Sequence, residues 1–391
     1  MQFEILMLIT QSIIVGLCLF CANLLMLRRR DEVIYVPLAL LFLFQALSYL
    51  PRVILEGIIA ADLSEIWEFH FQAVTAPLEF ASPFLFWLYV RALTIEGEVT
   101  PVPRKWLHAI PIIIGSLCLM SGFAVPAEML TGQVPPLDEL LQKLRIVARL
   151  YGFANVLFMV MVAVYIALTI LRLKTYHKRL KDIFASTENR ELHWIWLITL
   201  SAGMYLLLSF IDVLSDSFDL YPRVMQGPAF DAISEFCVLV LMWVIGVWGL
   251  RQRRGFNRGP VVPPAKPVAA EPAKYQHSAL DDTRALRIAA KIEASMSADF
   301  LHRDPNLSLW DLAKHISVTA HYVSQTLNTK LDRNFFDYVN YWRIKDAVNQ
   351  LTTTEDTILA IAYDVGFNSR SSFYKAFKRE TGKTPRDLRA Q

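Results

Sequence analysis

Seven long apolar stretches before residue 251 constrain the fold of this chain more than any other feature. A helix needs about 20 apolar residues to cross roughly 30 Å of hydrocarbon, and each stretch has about this length. Hydrophobic residues form 54% of the chain and charged residues only 19%, which is too apolar for soluble domains alone. We therefore predict an all-α protein that begins with a seven-helix transmembrane bundle. The predicted spans are roughly residues 3–27, 33–50, 71–94, 107–124, 150–171, 193–215 and 226–250.

The basic residues between these spans predict the orientation of the bundle. Lys and Arg in short loops are retained in the cytoplasm. With the N-terminus outside, the cytoplasmic segments carry 16 basic residues and the opposite side carries 5. The first basic cluster, Arg28-Arg29-Arg30, follows its apolar stretch, which argues against a cleaved signal peptide. We expect a multi-pass protein of the bacterial cytoplasmic (inner) membrane, with its N-terminus outside and its C-terminus in the cytoplasm.

A proline-rich segment separates the apolar part from a soluble part. Five prolines fall between residues 259 and 272, where neither a helical nor a strand period is present. Chain of this composition is extended and advances about 3.1 Å per residue. We divide the sequence into a seven-span transmembrane domain at 1–254, a Pro-rich linker at 255–280 and a soluble helical domain at 281–391.

The soluble domain contains two copies of a helix-turn-helix pattern. Short amphipathic helices are predicted at 308–316 and 320–330, and again at 357–365 and 369–379. One longer amphipathic helix, at about 334–351, joins the copies. In such a motif the second helix enters the major groove of DNA and presents polar side chains to the base edges. The pattern thus predicts two DNA-reading motifs held by one rigid helix.

The second copy resembles a known family. The stretch 361–378, followed by 381–385 and Arg389, is similar to the C-terminal half of the DNA-binding domain of the AraC/XylS family. Arg343-Ile344 and Ala347 match the helix that links the two motifs in that family. The resemblance covers about the last 100 residues. It implies a seven-helix domain that reads two successive major grooves on one face of bent DNA and regulates transcription.

The resemblance also supplies candidate DNA-contacting residues. Seven of the domain's basic residues fall between Arg370 and Arg389, as expected for an electrostatic footprint on DNA. The alternative reading of any single candidate is a solvated helix face. Because most protein–DNA hydrogen bonds go to the backbone, the choice between base and phosphate stays open. The candidates are Ala320, His321, Ser324 and Gln325 in the first motif, and Arg370, Ser371 and Lys375 in the second.

Asp332 departs from the family's pattern. The family usually has glycine at this position, where the first recognition helix ends in a left-handed turn. Aspartate tolerates left-handed backbone better than most residues. We therefore expect the turn to form here at a small cost in stability.

Ionisable residues inside the predicted spans are candidates for a ligand site. Each costs a few kcal/mol in hydrocarbon unless it is paired or hydrated. In the predicted orientation all of them fall in the outer half of the bundle, where they would line a cavity open to the outside. The alternative is that they form buried structural pairs or lie near the interface. These residues are Glu79, Arg149, Asp212, Asp231 and Glu235.

The sequence offers no sign of catalysis. The four cysteines, Cys18, Cys21, Cys118 and Cys237, all lie in apolar stretches, which suits neither a disulfide framework nor a zinc site. No nucleophile–base pairing, zinc-protease motif or phosphate loop is visible. We expect no metal, no cofactor and no enzyme activity.

Together these features predict a one-component regulator that senses a signal through its transmembrane bundle. The expected partners are specific double-stranded DNA, the lipid bilayer, RNA polymerase, an unknown small-molecule or lipid ligand, and a second copy of the chain in a homodimer. The alternative is a membrane transporter or enzyme with an appended DNA-binding domain. Solute flux in proteoliposomes would separate the two hypotheses.

Overall fold

All regular elements are helical in the part of the chain that the structure describes, which confirms the predicted all-α class. Fourteen α-helices occur there, with short 3-10 turns and one isolated β-bridge between Phe184 and Ser308. The predicted linker lies almost entirely outside the described residues. The computed structural model describes residues 2–28, 33–58, 61–96, 104–124, 137–188, 190–218, 228–252, 255–256 and 282–389.

The chain forms two units, and each combines two stretches of sequence. We call residues 1–173 and 193–257 the bundle unit, and residues 174–192 and 258–391 the C-terminal unit. The sequence pattern alone assigns 174–192 to the transmembrane domain, since this stretch connects the fifth and sixth spans. In the structure it belongs instead with the helices that follow residue 281.

The bundle unit has one helix for each of the seven predicted spans. The fifth helix is 47 residues long, far beyond the predicted 150–171, and from Lys174 onward it belongs to the C-terminal unit. The helices are α1 (Gln2–Arg28), α2 (Val36–Ile58), α3 (Ala61–Leu93), α4 (Lys105–Leu119), α5 (Leu137–Ile183), α6 (His193–Phe218) and α7 (Pro228–Arg251).

Six of these helices are long and apolar enough to cross a membrane, as judged over the described residues. The apolar part of α2, Val36–Pro51, falls below that length. The whole of α2 nevertheless has 23 residues, which extend about 34 Å at 1.5 Å per residue. Leu38 and Phe42 of α2 are fully buried, and α2 lies against α1 and α3. It is therefore an integral helix of the bundle.

Large apolar side chains cover the outside of the bundle unit. Leu117 is 62% exposed, Leu200 69% and Ile233 62%. In water such a surface is unfavourable, whereas in a bilayer it faces lipid. Hydroxyl groups inside the helices are satisfied locally, since Thr10 and Ser116 each donate to the carbonyl oxygen four residues earlier. This arrangement suits a medium that offers no water for hydrogen bonding.

The stretch of the C-terminal unit from Asp282 onward contains seven α-helices in its described residues, the number that the family resemblance implies. A 3-10 turn at Leu301–Arg303 follows the first of them. The helices are α8 (Asp282–Ser297), α9 (Leu309–His315), α10 (Ala320–Lys330), α11 (Phe335–Thr353), α12 (Ile358–Asp364), α13 (Arg370–Thr381) and α14 (Pro385–Arg389).

Side-chain caps fix where four of these helices begin. Ser308 caps α9 in a reciprocal capping box with Asp311, and Asn334 caps α11. Thr357 and Ser369 cap α12 and α13. In each case the side-chain oxygen accepts a hydrogen bond from a backbone N–H that has no partner within the helix. The predicted helix starts are confirmed to within one residue.

Two turns of the C-terminal unit adopt left-handed backbone. Asp332, just after α10, has φ of 47°, so the expected left-handed turn forms despite the missing glycine. Gly366 has φ of 99° and connects α12 to α13. A Cβ atom at Gly366 would lie 2.7 Å from the carbonyl oxygen of Arg303 and 2.8 Å from that of His302. Both the conformation and the close approach therefore require glycine at position 366.

The long helix α11 contributes to two separate apolar cores. Val339, which is fully buried, packs in a core with the first helix-turn-helix motif, α9 and α10. One to two turns later, Ile344 and Ala347 pack in a core with Phe373 and Phe377 of the second motif, α12 and α13. Because one rigid helix serves both cores, the two motifs are held at a fixed separation.

Candidate nucleic-acid interface

The predicted contact residues of the first motif lie on the first two turns of α10. His321 is exposed, whereas Ser324 and Gln325 are half-buried. Ala320 packs against the apolar core beneath the motif. Of this group, His321 has the most freedom to reach a base or a phosphate.

The predicted contact residues of the second motif share one exposed side of α13. Arg370, Ser371 and Lys375 are all exposed. The guanidinium carbon of Arg370 lies 5.1 Å from the centre of the Tyr374 ring. Such stacking restricts the guanidinium without using its N–H donors. Arg370 is therefore presented at the start of a recognition helix with its hydrogen-bonding groups available.

A cavity of about 370 Å³ lies beside Arg370. Its walls include Arg386, Arg389 and Thr357, together with the acidic Glu355. The Nε and Nη2 atoms of Arg389 are buried and have no hydrogen-bond partner among the described residues. Guanidinium groups bind phosphate oxygens in a planar, two-pronged geometry. The cavity can thus accept a backbone phosphate, a feature that the sequence indicated only as a local excess of basic residues.

One basic residue of α13 has a structural role. Arg379 lies 2.8 Å from a carboxylate oxygen of Asp337 and 3.0 Å from one of Glu380. Glu380 is a neighbour within α13, whereas Asp337 belongs to α11, so the pair with Asp337 holds the recognition helix against the linking helix. Arg379 is accordingly less available to DNA than Lys378, which is exposed on the same helix.

Arg343 is the largest fully buried side chain of the described residues. Its Nε donates to the carbonyl oxygen of His302 at 2.7 Å, and its Nη2 donates to that of Asp304 at 2.8 Å. Its Nη1 donates to the carbonyl oxygen of Ala185 at 3.3 Å and to Ser186 Oγ at 3.1 Å. Burial lowers the pKa of Arg343 to about 10, which leaves the guanidinium charged at neutral pH.

A second polar network fixes the 3-10 turn against α11. A carboxylate oxygen of Asp346 accepts hydrogen bonds from Arg303 Nε at 2.8 Å and His302 Nε2 at 3.1 Å. Burial alone would raise the pKa of Asp346, but these hydrogen bonds outweigh it and hold the pKa below its usual range. Burial likewise lowers the pKa of His302, although Asp346 opposes the shift. The turn that supports Gly366 is thereby tied to the helix that joins the motifs.

Residues 184–188, which follow α5, are built into the C-terminal unit. Phe184 forms the antiparallel bridge with Ser308, and the N–H of Ala185 donates to the carbonyl oxygen of Leu307 at 3.0 Å. Ala185 is only 1% exposed, as part of the core under the first motif. Sequence reasoning missed this contact because no local pattern links residues separated by more than 100 positions.

Glu235, one of the five ionisable residues predicted to surround a ligand, makes hydrogen bonds within the bundle unit. Its two carboxylate oxygens accept from Gln11 Nε2 at 3.2 Å and from Tyr49 Oη at 2.9 Å. These donors belong to α1 and α2, so Glu235 connects three helices. This geometry matches the structural alternative considered for the ionisable residues.

The structure describes the other four ionisable residues in less detail. Glu79 is half-buried in α3, and Arg149 is exposed on α5. Asp212 and Asp231 lie in α6 and α7, but their side chains are outside the described ones. An outward-facing ligand site at these positions stays a prediction.

The bundle unit also contains a mainly apolar cavity of about 170 Å³. Residues of α2, α3, α5, α6 and α7 line it, including Pro83 but not Glu79. A cavity of this character suits an apolar group better than a charged one. Its polar lining residues are Gln45, Ser82, Tyr165, Thr169 and Thr199.

Comparison with known proteins agrees with the geometry of the C-terminal unit. Residues 312–391 match a family model described as a helix-turn-helix domain. Over 89 residues the chain is 35% identical to an uncharacterised HTH-type transcriptional regulator of Staphylococcus aureus strain COL. Over 92 residues it is 36% identical to a protein of Streptomyces lividans that is named an AraC-like transcription regulator. Each match covers 23% of this chain, and it spans only 12% and 30% of the respective relatives.

Two solved structures are similar to the same part of the chain. One is a protein of unknown function from Listeria innocua, with 27% identity over 26% of this chain and 94% of that one, and a TM-score of 0.24. The other is the C-terminal domain of AraT, a response regulator from Geobacillus stearothermophilus, with 24% identity over 26% of this chain and 83% of that one, again with a TM-score of 0.24. The motifs, their caps and the sequence matches together establish that the C-terminal part of this chain carries a helix-turn-helix DNA-binding domain of the AraC type.

Proposed function

We propose that the chain is a membrane-embedded one-component transcriptional regulator. The observation that carries this proposal is the presence, in one chain, of a helical bundle with an apolar outer surface and a double helix-turn-helix domain. The bundle unit receives a signal, and the C-terminal unit binds a specific double-stranded DNA site. RNA polymerase and a second copy of the chain are its further partners in this scheme, which places it in the bacterial cytoplasmic membrane.

The proposed orientation has the N-terminus outside and the DNA-binding domain in the cytoplasm. It requires seven spans, and α2 is one of them. An alkaline phosphatase that is active only after export should therefore be inactive when fused after residue 258. As a control, the same enzyme inserted near residue 130, between α4 and α5, should be active. Activity of the fusion at 258 would place the domain on the wrong side for DNA binding and overturn the proposal.

DNA recognition by α13 can be tested at Arg370. Replacing it with alanine should weaken specific binding by about 1 to 3 kcal/mol if Arg370 reads a base. Sequences selected from a random duplex pool should then lose their preference at one position. Lys378→Ala is the matched control, because it removes an exposed basic side chain from the same helix. A uniform loss across all sequences would instead identify Arg370 as a phosphate contact.

The signal proposed for the bundle is a small molecule or lipid that binds from the outer side. The acidic residues Glu79, Asp212 and Asp231 suggest a cationic or hydrogen-bond-donating ligand. Glu79→Gln should then abolish the stimulus-dependent change of a transcriptional reporter while protein level and DNA binding stay normal. A normal response would remove Glu79 from the sensing site and favour the apolar cavity between α2, α3, α5, α6 and α7.

A further inference from the structure

We propose that Glu188 is a latch that occupies the start of the second recognition helix and competes with DNA for it. The inference rests on the proposed DNA-binding function and adds regulation to it. It concerns residues 184–188, which we call the latch segment.

Glu188 contacts the N-terminal end of α13 directly. Its Oε1 accepts a hydrogen bond from Ser372 Oγ and another, at 3.1 Å, from Ser369 Oγ. Ser369 is the N-cap residue of α13, and Ser372 supplies the backbone N–H that Ser369 caps. Arg370 and Ser371, both candidate DNA contacts, lie between them in sequence. The carboxylate therefore lies at the end of the helix expected to enter the major groove.

The other residues of the latch segment also make specific contacts within the C-terminal unit. Phe184 packs edge-on against Trp310, with ring centres 5.7 Å apart, in addition to its bridge with Ser308. Buried Arg343 donates to both Ala185 and Ser186. The segment thus contacts the first motif, the linking helix and the second motif, so its position is fixed relative to both DNA-reading helices.

The residues that follow Glu188 fold back onto the end of α5. Tyr176 Oη donates to the carbonyl oxygen of Arg190 at 2.6 Å, and His177 Nε2 lies 2.6 Å from that of Glu191. The guanidinium of Arg190 stacks over the Phe184 ring, 4.0 Å from its centre. The chain before Glu188 continues directly from α5, and the chain after it is hydrogen-bonded to α5. The position of Glu188 therefore depends on the position of that helix.

A carboxylate and a phosphate cannot share this end of α13. The N-terminus of a helix carries partial positive charge and unpaired N–H groups, which attract either anion. Two like charges placed this close together repel each other. DNA that approaches α13 must therefore displace Glu188 or accept this repulsion. The docked state of the latch is the state with lower DNA affinity.

The latch gives the proposed signal a route that bypasses the proline-rich linker. α5 runs without interruption from Leu137 in the bundle unit to Ile183, the residue before the latch segment. A rotation or displacement of α5 that accompanies a signal moves the latch segment directly. Withdrawal of Glu188 then frees the start of α13 for DNA.

The test is DNA binding by the full chain in lipid nanodiscs. The probe is a fluorescent mixed-sequence duplex of about 30 base pairs, long enough for two successive major grooves. Glu188→Gln keeps the shape of the side chain and removes its charge, so it should tighten binding about five- to tenfold. Asp182→Asn removes one charge from the same stretch, where Asp182 pairs only weakly with Arg179 at 3.7 Å. It should change affinity less than about twofold.

A double-mutant cycle with Ser372 separates a latch from a general charge effect. Ser372→Ala should tighten binding in the wild-type background but not in the E188Q background, because the two residues act through one contact. Additive effects, or equal effects of E188Q and D182N, would overturn the latch while DNA binding itself stands. If E188Q bound DNA more weakly than the wild type and also unfolded at a lower temperature, the contact of Glu188 with α13 would be purely structural. If neither wild type nor E188Q binds the duplex, the proposed function fails as well.

Discussion

Replacing Arg343 with methionine is expected to destabilise the C-terminal unit by about 3 to 5 kcal/mol. Methionine fills much of the same space but donates no hydrogen bonds. The carbonyl oxygens of His302, Asp304 and Ala185 would then lose the donor that they share, and each unsatisfied buried acceptor costs about 1 to 3 kcal/mol.

Hydrogen exchange in peptides from α11 measures this effect on the full chain, since it reports the free energy of local opening. Lys345→Met is the matched control, because Lys345 is exposed on the same helix and stacks only over Trp342, with its Nζ 4.6 Å from the ring centre. Its loss should cost less than about 1 kcal/mol. If α11 opened as rarely in R343M as in K345M, the hydrogen bonds of Arg343 would not hold the C-terminal unit together.

Gly366→Ala is the second substitution with a large expected effect, about 2 to 5 kcal/mol. A left-handed conformation costs a non-glycine residue about 1 to 2 kcal/mol. The added Cβ would also lie 2.7 Å from a backbone oxygen of Arg303, and backbone shifts of this kind cost about 1 to 3 kcal/mol. The turn between α12 and α13 would open, and specific DNA binding by the second motif would fall with it.

Gly382→Ala separates the two contributions. Gly382 also has positive φ, at 73°, but apart from its chain neighbours no atom of the described residues lies within 4 Å of the position that its Cβ would take. The Gly382→Ala substitution should therefore cost only the free energy of the left-handed conformation, about 1 to 2 kcal/mol. Equal losses in the two variants, measured by hydrogen exchange in peptides from α12 and α13, would show that the close approach at Gly366 contributes nothing.

The helix-turn-helix motifs were predictable because their signals are local. Ser308, Thr357 and Ser369 cap helices through atoms within three residues of themselves, so sequence spacing contains the whole interaction. The left-handed turn at Asp332 was predictable for the same reason. The exposure of Arg370 and Lys375 followed from helical periodicity, since their neighbours Phe373 and Phe377 fill the core.

Contacts between distant residues could not be predicted in this way. Arg343 and Ala185 are separated by 158 positions, and no periodicity joins them. An apolar stretch also predicts a helix suited to hydrocarbon without indicating which side of it faces its neighbours. The hydrogen bonds from Gln11 and Tyr49 to Glu235 depend on that side, so the sequence left the role of Glu235 open between ligand binding and structure.

The separation between Ala185 and Arg343 has a consequence for biosynthesis. Ribosomes add about 5 to 20 residues per second, so the latch segment leaves the ribosome roughly 8 to 30 seconds before its partner in α11 has been made. During that interval Phe184 and Ala185 have no core to enter. The DNA-binding unit therefore cannot complete its fold during translation of its own stretch alone, but has to recruit a segment that was made earlier, between two apolar helices of the bundle unit.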